Sequence, residues 1–515
     1  MSLIPCLITK GRLALGIRLL FPCIRKKAIG SHNHKQPDIL SDNREIPNSS
    51  LMAFLVSSRE FGNILRIGLP IFVAQLSQIG MNFVDTIMAG RYAARDLAGV
   101  AIAGSLWAPI TLFAVGCLLA LPGMSAQLVG ARKPERSAHL LRQGIFLALF
   151  MSAVLISILY LISENLHLLG IDEELAPVTS GYLKAMLFGL PGFLLFITVR
   201  SFFEGFGRTR PAMVIGIVCL LINIPCNYVF IYGHLGMPEM GGVGCGVATA
   251  ICYWCMFLSI FFFLHRDSAL RKYSFFGKGR VVIEGRRLDL PLIATVVRIG
   301  FPNAVALCIE VSSFALTALL LAPLGTTVVA GHQITINYSS IVFSIPLSIG
   351  MTATIRTGQL LGAAKYMHAR SAAHTALLLG FVIALVSMTV TMCFRYEIAS
   401  LYNSDPDVLA LASSLMLLCG AYQVVDTLQN ISCGVLRGYN DTRIIFVICL
   451  VAYGLLALCG GYVLGRTDLI VPAMGAAGFW VGYIVALAFC AICYMARLHV
   501  LHRLDPEDIR KKLAR

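Results

Sequence analysis

The stretch that decides the fold runs from Arg66 to Thr86 and reads RIGLPIFVAQLSQIGMNFVDT. It is an apolar run with a proline near its start and one carboxylate, Asp85, near its end. The same opening returns at Arg298–Pro302 as RIGFP, and a second long apolar run follows it. The separation of about 232 residues is far longer than the repeat of a solenoid, so the pattern indicates a duplicated half-protein.

Further short matches keep this offset between the two halves. They are Ala98-Gly99 with Ala330-Gly331, Gln127–Gly130 with Gln359–Gly362, Lys133 with Lys365 and, one residue later in register, Gly205 with Gly438 and Thr209-Arg210 with Thr442-Arg443. Matches in the same order at one offset rarely arise by chance, so they favour an internal duplication.

The composition excludes an ordinary soluble protein. The chain has 515 residues, of which 57% are hydrophobic and only 13% are charged, whereas soluble domains are about a quarter charged. Its apolar runs repeatedly exceed the roughly 18 residues that a spanning helix needs. The 16 cysteines lie mostly inside these runs, where they act as small apolar side chains. We therefore predict an all-α polytopic membrane protein.

The apolar runs predict twelve transmembrane helices, six in each of two duplicated lobes around a central cavity. Their approximate ranges are 62–87, 97–123, 140–163, 179–203, 211–232, 242–264, 291–322, 328–353, 369–394, 409–433, 444–465 and 473–496. Lys and Arg concentrate in the termini, the central linker and the loops after even-numbered spans, with about 25 there against about 4 in the other loops. The positive-inside rule then places both termini in the cytoplasm, and it explains the net charge of +15 without a nucleic-acid partner.

The predicted organisation has a leader, two lobes, a linker and a tail. These are the leader at 1–51, the N-terminal six-helix lobe at 52–265, the cytoplasmic linker at 266–290, the C-terminal six-helix lobe at 291–498 and the basic cytoplasmic tail at 499–515. The leader is basic and partly apolar but has no clear cleavage site. We interpret it either as an interfacial helix or as a segment outside the working protein, which then begins near Met52.

Three carboxylates lie at membrane depth, where an ionisable group costs about 2.5–3.5 kcal/mol on insertion scales. Asp85 lies toward the outer end of span 1, and Glu310 lies in the middle of span 7. Asp426 lies in span 10, one turn after Tyr422 and on the same helix face. Each carboxylate predicts an ion or proton site, and the alternative is a structural hydrogen bond between helices or, for Asp85, a position at the outer interface.

Span 5 carries two amides, Asn223 and Asn227, one turn apart on one helix face. Pro225 between them cannot donate to the carbonyl one turn earlier, which frees an oxygen. Asp85, Asn227 and Thr249 lie at similar distances from the outer ends of their spans. If spans 1, 5 and 6 are neighbours, the cluster is a candidate site for a small cation or a proton. The alternative is that the amides only hold helices together.

Other charged residues of the spans are interpreted as surface groups. Lys184, Arg200 and Glu204 lie near span ends, where snorkelling explains them. Arg356 and Arg437 are counted with the basic loops after spans 8 and 10. The sequence has no Walker loop, no His-Glu-x-x-His pair and no Asp-rich diphosphate motif, so we predict no enzyme activity and no cofactor.

Six stretches of the sequence belong together as a set. They are Val84–Gly90 (VDTIMAG), Glu204-Gly205, Asn223–Gly233 (NIPCNYVFIYG), Gly241–Thr249 (GGVGCGVAT), Ala330–Gln333 (AGHQ) and Leu436–Arg443 (LRGYNDTR). In combination they resemble the NorM-type branch of the multidrug and toxic compound extrusion (MATE) family, from about residue 60 to the end of the chain.

The resemblance implies export of cationic aromatic drugs and dyes, driven by sodium or proton influx through alternating access. It assigns the family's N-lobe coupling site to Asp85, Asn223, Asn227 and Thr249, its C-lobe site to Glu310, Tyr422 and Asp426, and a cavity-lining position to Gln333. It further implies a monomer in the bacterial inner membrane, with a monovalent cation or a proton at the coupling residues and no tightly bound metal.

Two rival functions stay open at this stage. A lipid-linked oligosaccharide flippase shares the two-lobe plan but is expected to have a more strongly basic cavity. A membrane-embedded transferase is the enzyme alternative, and it needs acidic metal-binding motifs at a cytoplasmic mouth that the sequence lacks.

Overall fold

The computed structural model of the protein describes residues 58–267, 270 and 288–513. The leader and most of the linker lie outside these residues, so what the sequence predicts for them stays a prediction. The described residues form helices joined by short loops, with no strand among them. The prediction of an all-α protein is confirmed.

Among the described residues, twelve helices are long and apolar enough to cross a membrane, as predicted. Spans 1 to 12 are Ser58–Tyr92, Ala94–Gly130, Pro134–Glu164, Ala176–Gly205, Arg210–Tyr232, Gly242–Arg266, Leu290–Leu324, Thr326–Gly362, Tyr366–Cys393, Pro406–Gly438, Thr442–Arg466 and Ala476–Arg503. Span 2 breaks at Leu119, and span 11 contains a π-helical stretch at Leu450–Gly460. Short helices at Arg395–Ser400 and Pro506–Leu513 lie outside the spans.

The loops that join the spans repeat their backbone conformation between the two halves. Arg132 after span 2 and Ala364 after span 8 have φ of 58° and 57°. Gly207 after span 4 and Asn440 after span 10 have φ of 69° and 56°. A left-handed conformation is uncommon for a residue with a side chain, so its return at equivalent loop positions shows one loop design used twice. The two lobes are therefore duplicated in structure as well as in sequence.

Each lobe has an apolar core of its own. Trp107 and Leu183 belong to the core of the N-lobe, in which span 4 packs against spans 3 and 6. Trp480 and Leu487 belong to the core of the C-lobe, in which span 10 packs against spans 8, 9 and 12. Because each half buries its own apolar faces, each lobe is built to keep its shape when the other moves.

The lobes meet along four spans. Span 2 packs against span 7, and span 8 packs against spans 1 and 2. The loops after the even-numbered spans share one face of the bundle, called the basic face below and defined by residues 131–133, 206–209, 363–365 and 439–441. The closest inter-lobe approaches lie in the half of the bundle next to this face, so the structure is closed at the basic face.

Candidate functional site

Spans 1, 5 and 6 bring the predicted N-lobe residues together around Asp85. One carboxylate oxygen of Asp85 accepts hydrogen bonds from Asn227 Nδ2 at 2.6 Å and Asn223 Nδ2 at 3.2 Å. The other oxygen accepts one from Thr249 Oγ1 at 2.7 Å. All four side chains are buried. The neighbour relation between these spans, which sequence alone leaves open, is thus present in the fold.

The donors around Asp85 are all neutral, so they stabilise the carboxylate by dipoles and leave its negative charge uncompensated. The two amides are also joined to each other, since Asn227 Nδ2 lies 3.0 Å from Asn223 Oδ1. The remaining amide oxygen, Asn227 Oδ1, is buried and has no hydrogen-bond partner. A carboxylate beside a spare amide oxygen offers the ligands that a small hard cation prefers.

The carbonyl oxygen that Pro225 leaves without a donor does not belong to the Asp85 cluster. Both Pro225 and Leu221, whose carbonyl the proline frees, are exposed, whereas Asn223 and Asn227 are fully buried on the other side of the helix. The expectation of a freed carbonyl in the site is therefore wrong, because the proline interrupts the helix on its outer face.

The C-lobe residues form a second cluster, on spans 7 and 10. Asp426 is buried, and its charge is close enough to interact with that of Glu310. Tyr422 is also buried and packs edge-on against the ring of Trp480, with 5.5 Å between the ring centroids. The three predicted residues thus share one neighbourhood, in which Glu310 is half-buried and Asp426 lies deeper.

Several polar atoms in the interior of the C-lobe have no hydrogen-bond partner. They are Asp426 Oδ1, Asn430 Oδ1, Trp480 Nε1 and both ring nitrogens of His332. The Tyr453 hydroxyl, by contrast, lies within hydrogen-bond reach of the Glu310 carboxyl group. Buried polar groups in folded proteins are nearly always paired with protein or ordered water, so the unpaired atoms are free to accept from or donate to a polar ligand. Sequence reasoning missed His332, Asn430, Tyr453 and Trp480, because an amide or a ring in an apolar run gives no signal of its partners.

A cavity of about 440 Å³ lies between the lobes. Aromatic rings form much of its wall, at Phe193, Phe196, Phe314, Phe343, Tyr422 and Trp480. The polar side chains that line it include Glu310 from span 7 and two amides of span 1, Gln75 and Gln78. The cavity is therefore large enough for a drug-sized molecule and presents both flat apolar surface and a carboxylate.

Three charged residues that were interpreted as surface groups line this cavity. Arg200 and Glu204, one turn apart on span 4, form an ion pair with 2.6 Å between Nε and Oε1, and Glu204 is only 2% exposed. The snorkelling interpretation is wrong for both, because their mutual pairing lets them stay inside. Arg437 ends span 10 at the cavity wall, where its Nε lies 3.3 Å from Asn303 Oδ1. Lys184, by contrast, is exposed and paired with Glu164.

Arg356 is the other basic residue that the sequence misplaces. It belongs to span 8, not to a loop, and it is buried in an ion pair with Glu60 at the start of span 1, with both N–O distances at 2.7 Å. The ion pair with a residue of the other lobe offsets the free-energy cost of burying the guanidinium. Span 8 therefore continues past Arg356 and ends at Gly362.

Gln333 lies outside the lining of the cavity. It is exposed in the second turn of span 8, one turn before Ile336 and two turns before Ser340, which do line the cavity. Its helix face therefore continues the cavity wall toward the end of the bundle opposite the basic face.

No group of three or more His, Cys, Asp and Glu side chains fit to hold a metal ion occurs in the described part of the chain. What the arrangement offers is two buried carboxylate clusters, one of which borders an open cavity through Glu310.

The sequence matches the model of a known protein family. A family model described as MatE matches residues 70–229 and 302–463, one stretch in each lobe and together more than half of the chain.

Solved structures match over nearly their whole length. The eukaryotic MATE transporter AtDTX14 is 21% identical, with a TM-score of 0.79 over 90% of this chain and 99% of that one. The Vibrio cholerae MATE transporter VcmN in its bent form is 18% identical, with a TM-score of 0.75 over 86% and 98% of the two chains. A MOP superfamily transporter from Pyrococcus furiosus is 18% identical, with a TM-score of 0.74 over 87% and 97%. At these identities the structures show a common fold.

Proposed function

Because the chain belongs to the MATE family of multi-pass secondary transporters, we propose that it exports cationic aromatic drugs and dyes by antiport with sodium ions or protons. The observation that carries this proposal is the cavity between the lobes, which combines aromatic rings with one reachable carboxylate, Glu310.

The wall of the cavity suits flat cations. Aromatic faces attract cations by roughly 0.5–2 kcal/mol each, more when water is excluded, and they stack on ring systems without demanding one orientation. Glu310 adds a carboxyl group at the cavity surface, which supplies a negative charge when it is ionised. A site of this kind selects for positive charge and aromatic character, which is the breadth that a multidrug exporter needs.

The proposed coupling residues are those of the two carboxylate clusters. In the N-lobe Asp85 carries the charge, and Asn223, Asn227 and Thr249 hold its oxygens in place. In the C-lobe Glu310 and Tyr422 line the cavity, while Asp426 lies behind them. A sodium ion or proton that binds Glu310 removes the charge that retains the drug, so the two ligands bind in alternation.

The transport cycle is alternating access between two arrangements of the lobes. Under the positive-inside rule the basic face is cytoplasmic, with both termini on that side of a bacterial inner membrane. Since the structure is closed at the basic face, this conformation faces outward, the state in which drug leaves and the coupling ion enters. The separate cores of the lobes suit rigid-body motion of a monomer.

A lipid-linked oligosaccharide flippase is the alternative. It predicts a strongly basic cavity, whereas here Arg200 and Arg437 are balanced by Glu204 and Glu310. The balanced charge of the lining therefore counts against the flippase.

The test is dye transport by the purified protein in proteoliposomes, with a sodium gradient and a proton gradient imposed separately. We expect one of the two gradients to drive accumulation of a cationic dye, and we expect Glu310→Gln to abolish it. The matched control is Glu164→Gln, which removes an exposed carboxylate of span 3 and leaves transport unchanged.

Size-exclusion chromatography of each variant separates loss of coupling from loss of folded protein. Unfolding of Glu310→Gln would assign the residue a structural role instead. Absence of dye movement under both gradients in the wild type would contradict the proposal and redirect the assays to lipid-linked substrates.

A further inference from the structure

Two glutamines at equivalent positions of the repeat bind the opposite lobe in the same way. Gln127 of the N-lobe donates from Nε2 to the carbonyl oxygen of Gly438 in the C-lobe at 2.7 Å. Gln359 of the C-lobe donates from Nε2 to the carbonyl oxygen of Gly205 in the N-lobe at 2.9 Å. The donors are counterparts in the duplicated sequence, and so are the acceptors. The contact is therefore reciprocal.

The backbones beside these glutamines touch in the same reciprocal manner. A methyl group on Gly130 would overlap the carbonyl oxygen of Gln359, and one on Gly362 would overlap the carbonyl oxygen of Gln127. Both glycines close a span at the basic face. Only a residue without Cβ permits this approach, so the lobes are in direct backbone contact here.

Apolar side chains are exchanged between the lobes at the same level. Ile64, at the start of span 1, is buried in the core of the C-lobe. Its repeat counterpart Val296, at the start of span 7, is buried in the core of the N-lobe. Each lobe thus inserts a buried apolar side chain into the core of the other.

One feature of this contact occurs on one side only. The buried ion pair between Glu60 and Arg356 joins the lobes, whereas the repeat counterparts of these residues are Leu292 and Met124, both apolar. Arg356 also reaches Gln359 Oε1, at 3.4 Å from Nη1. The charged contact therefore reinforces one of the two equivalent halves.

We propose that these residues form a reciprocal latch that holds the basic face shut and must release both glutamines for the face to open. The proposal rests on the alternating-access part of the proposed function and is independent of the drug and of the coupling ion. Gln127 contributes two hydrogen bonds between the lobes, because its Oε1 also accepts from Asn440 Nδ2 at 3.0 Å, and Gln359 contributes one. These bonds break together because the lobes move as rigid bodies. The latch thereby sets how often the basic face opens.

Hydrogen–deuterium exchange with mass spectrometry tests the latch on the full chain in lipid nanodiscs. The variants are Gln127→Leu, Gln359→Leu and the double substitution. We expect peptides that cover residues 123–131 and 355–365 to exchange about fivefold faster in Gln359→Leu, about 25-fold faster in Gln127→Leu and about 100-fold faster in the double, since one neutral hydrogen bond is worth about 1 kcal/mol. Peptides from the opposite face should keep their exchange rates or slow.

A matched control is Gln429→Leu, which removes a buried glutamine of span 10 whose Oε1 accepts no hydrogen bond. It should leave the exchange of both peptides unchanged. Gly130→Ala tests the same contact independently of the glutamines, and it should open the basic face by forcing the backbones apart.

Unchanged exchange at the basic face in the double variant would overturn the latch. Faster exchange throughout both lobes would also overturn it, because it would show general destabilisation rather than opening of one face. Neither result depends on dye transport, so failure of the latch and failure of the proposed function are distinguishable.

Discussion

Asp85 of the N-lobe and Glu310 of the C-lobe do not occupy equivalent positions of the repeat. With an offset of about 232 residues, the counterpart of Asp85 is Thr317, and the counterpart of Glu310 is Gln78. Both Gln78 and Glu310 line the cavity, whereas Asp85 and Thr317 are buried behind it. The lobes therefore share one arrangement of helices, but the carboxylate lies at the cavity wall in the C-lobe and behind that wall in the N-lobe.

The hydrogen bond that holds Asp85 has a neutral counterpart in the C-lobe. Thr249 donates to Asp85 at 2.7 Å, and the hydroxyls of Thr317 and Tyr483, which stand at the corresponding positions, lie 2.8 Å apart. The same contact between the first and last span of a lobe is thus charged in one lobe and neutral in the other. Duplication preserved the geometry while the chemistry diverged.

The difference separates a carboxylate with both oxygens hydrogen-bonded from one with an unpaired oxygen. The oxygens of Asp85 accept three hydrogen bonds from fixed donors, while Asp426 Oδ1 behind Glu310 has no partner. An ion that binds Asp85 must compete with bonds already made, whereas one that binds the C-lobe cluster supplies contacts that are missing. We infer that exchange between ion and drug takes place at Glu310.

The largest expected effect comes from neutralising each carboxylate in turn. Glu310→Gln should lower gradient-driven dye transport by about 100-fold, the upper end of the usual coupling free energies, because it removes the charge shared by drug and ion. Asp85→Asn should lower transport by about tenfold, since Asp85 does not face the cavity. Initial rates in proteoliposomes measure both, and a larger loss in Asp85→Asn would reverse the comparison.

Thermal unfolding in detergent should rank the two variants in the opposite order, with Asp85→Asn the more strongly affected. Asp85→Asn replaces an acceptor by a group whose amide hydrogens face the donors of Asn223, Asn227 or Thr249, which should cost about 1–3 kcal/mol in the free energy of unfolding. Glu310→Gln removes a charge next to Asp426 and should leave the melting temperature unchanged or raised. A lower melting temperature in Glu310→Gln than in Asp85→Asn would show that the C-lobe cluster is the structural one.

Gln78→Glu restores the charge symmetry of the cavity wall. A second carboxylate at the position equivalent to Glu310 should tighten the binding of a cationic dye by about tenfold, the effect of one partly screened charge pair at about 1.4 kcal/mol. Fluorescence titration measures the dissociation constant, and a neutral dye of similar shape is the control. Equal changes for both dyes would indicate that the substitution altered the shape of the cavity rather than its charge.

The smallest expected effect compares Thr249→Val with Tyr483→Phe, which break the corresponding contacts. Hydrogen bonds to charged groups contribute about 1.5–3 kcal/mol and neutral ones about 1 kcal/mol, so Thr249→Val should lower the free energy of unfolding by about twice as much. Thermal unfolding of both variants under one condition measures the two losses in the free energy of unfolding and so their ratio. Equal losses would mean that Asp85 carries no charge in this conformation.

The sequence predicted the elements of this fold because its signals are local or repeated. Apolar runs revealed the spans, and the repeat revealed the lobes. Depth in the spans placed Asp85 near Asn227 and Thr249, and the hydrogen bonds confirm that they meet. The ends of the spans were less predictable. Arg356 was assigned to a loop because its charge suggests exposure, and its ion-pair partner Glu60 lies far away in the chain.

The cavity was the least predictable part of the molecule. Arg200 and Glu204 neutralise each other one turn apart, so their burial has no signature in a hydropathy pattern. Gln78 and Trp480 become part of one wall only when the lobes are assembled. Residues that meet across two rigid bodies depend on how those bodies pack, and that information is spread over the whole chain.

The most direct test of the account is equilibrium displacement of a bound cationic dye by sodium ions at fixed pH and, separately, by protons without sodium. The proteins compared are the wild type, Asp85→Asn and Glu310→Gln. The account predicts that one of the two ions displaces dye from the wild type and from Asp85→Asn, while the residual dye bound by Glu310→Gln is insensitive to both. Displacement that persists in Glu310→Gln but disappears in Asp85→Asn would contradict it and place the exchange of ion and drug in the N-lobe.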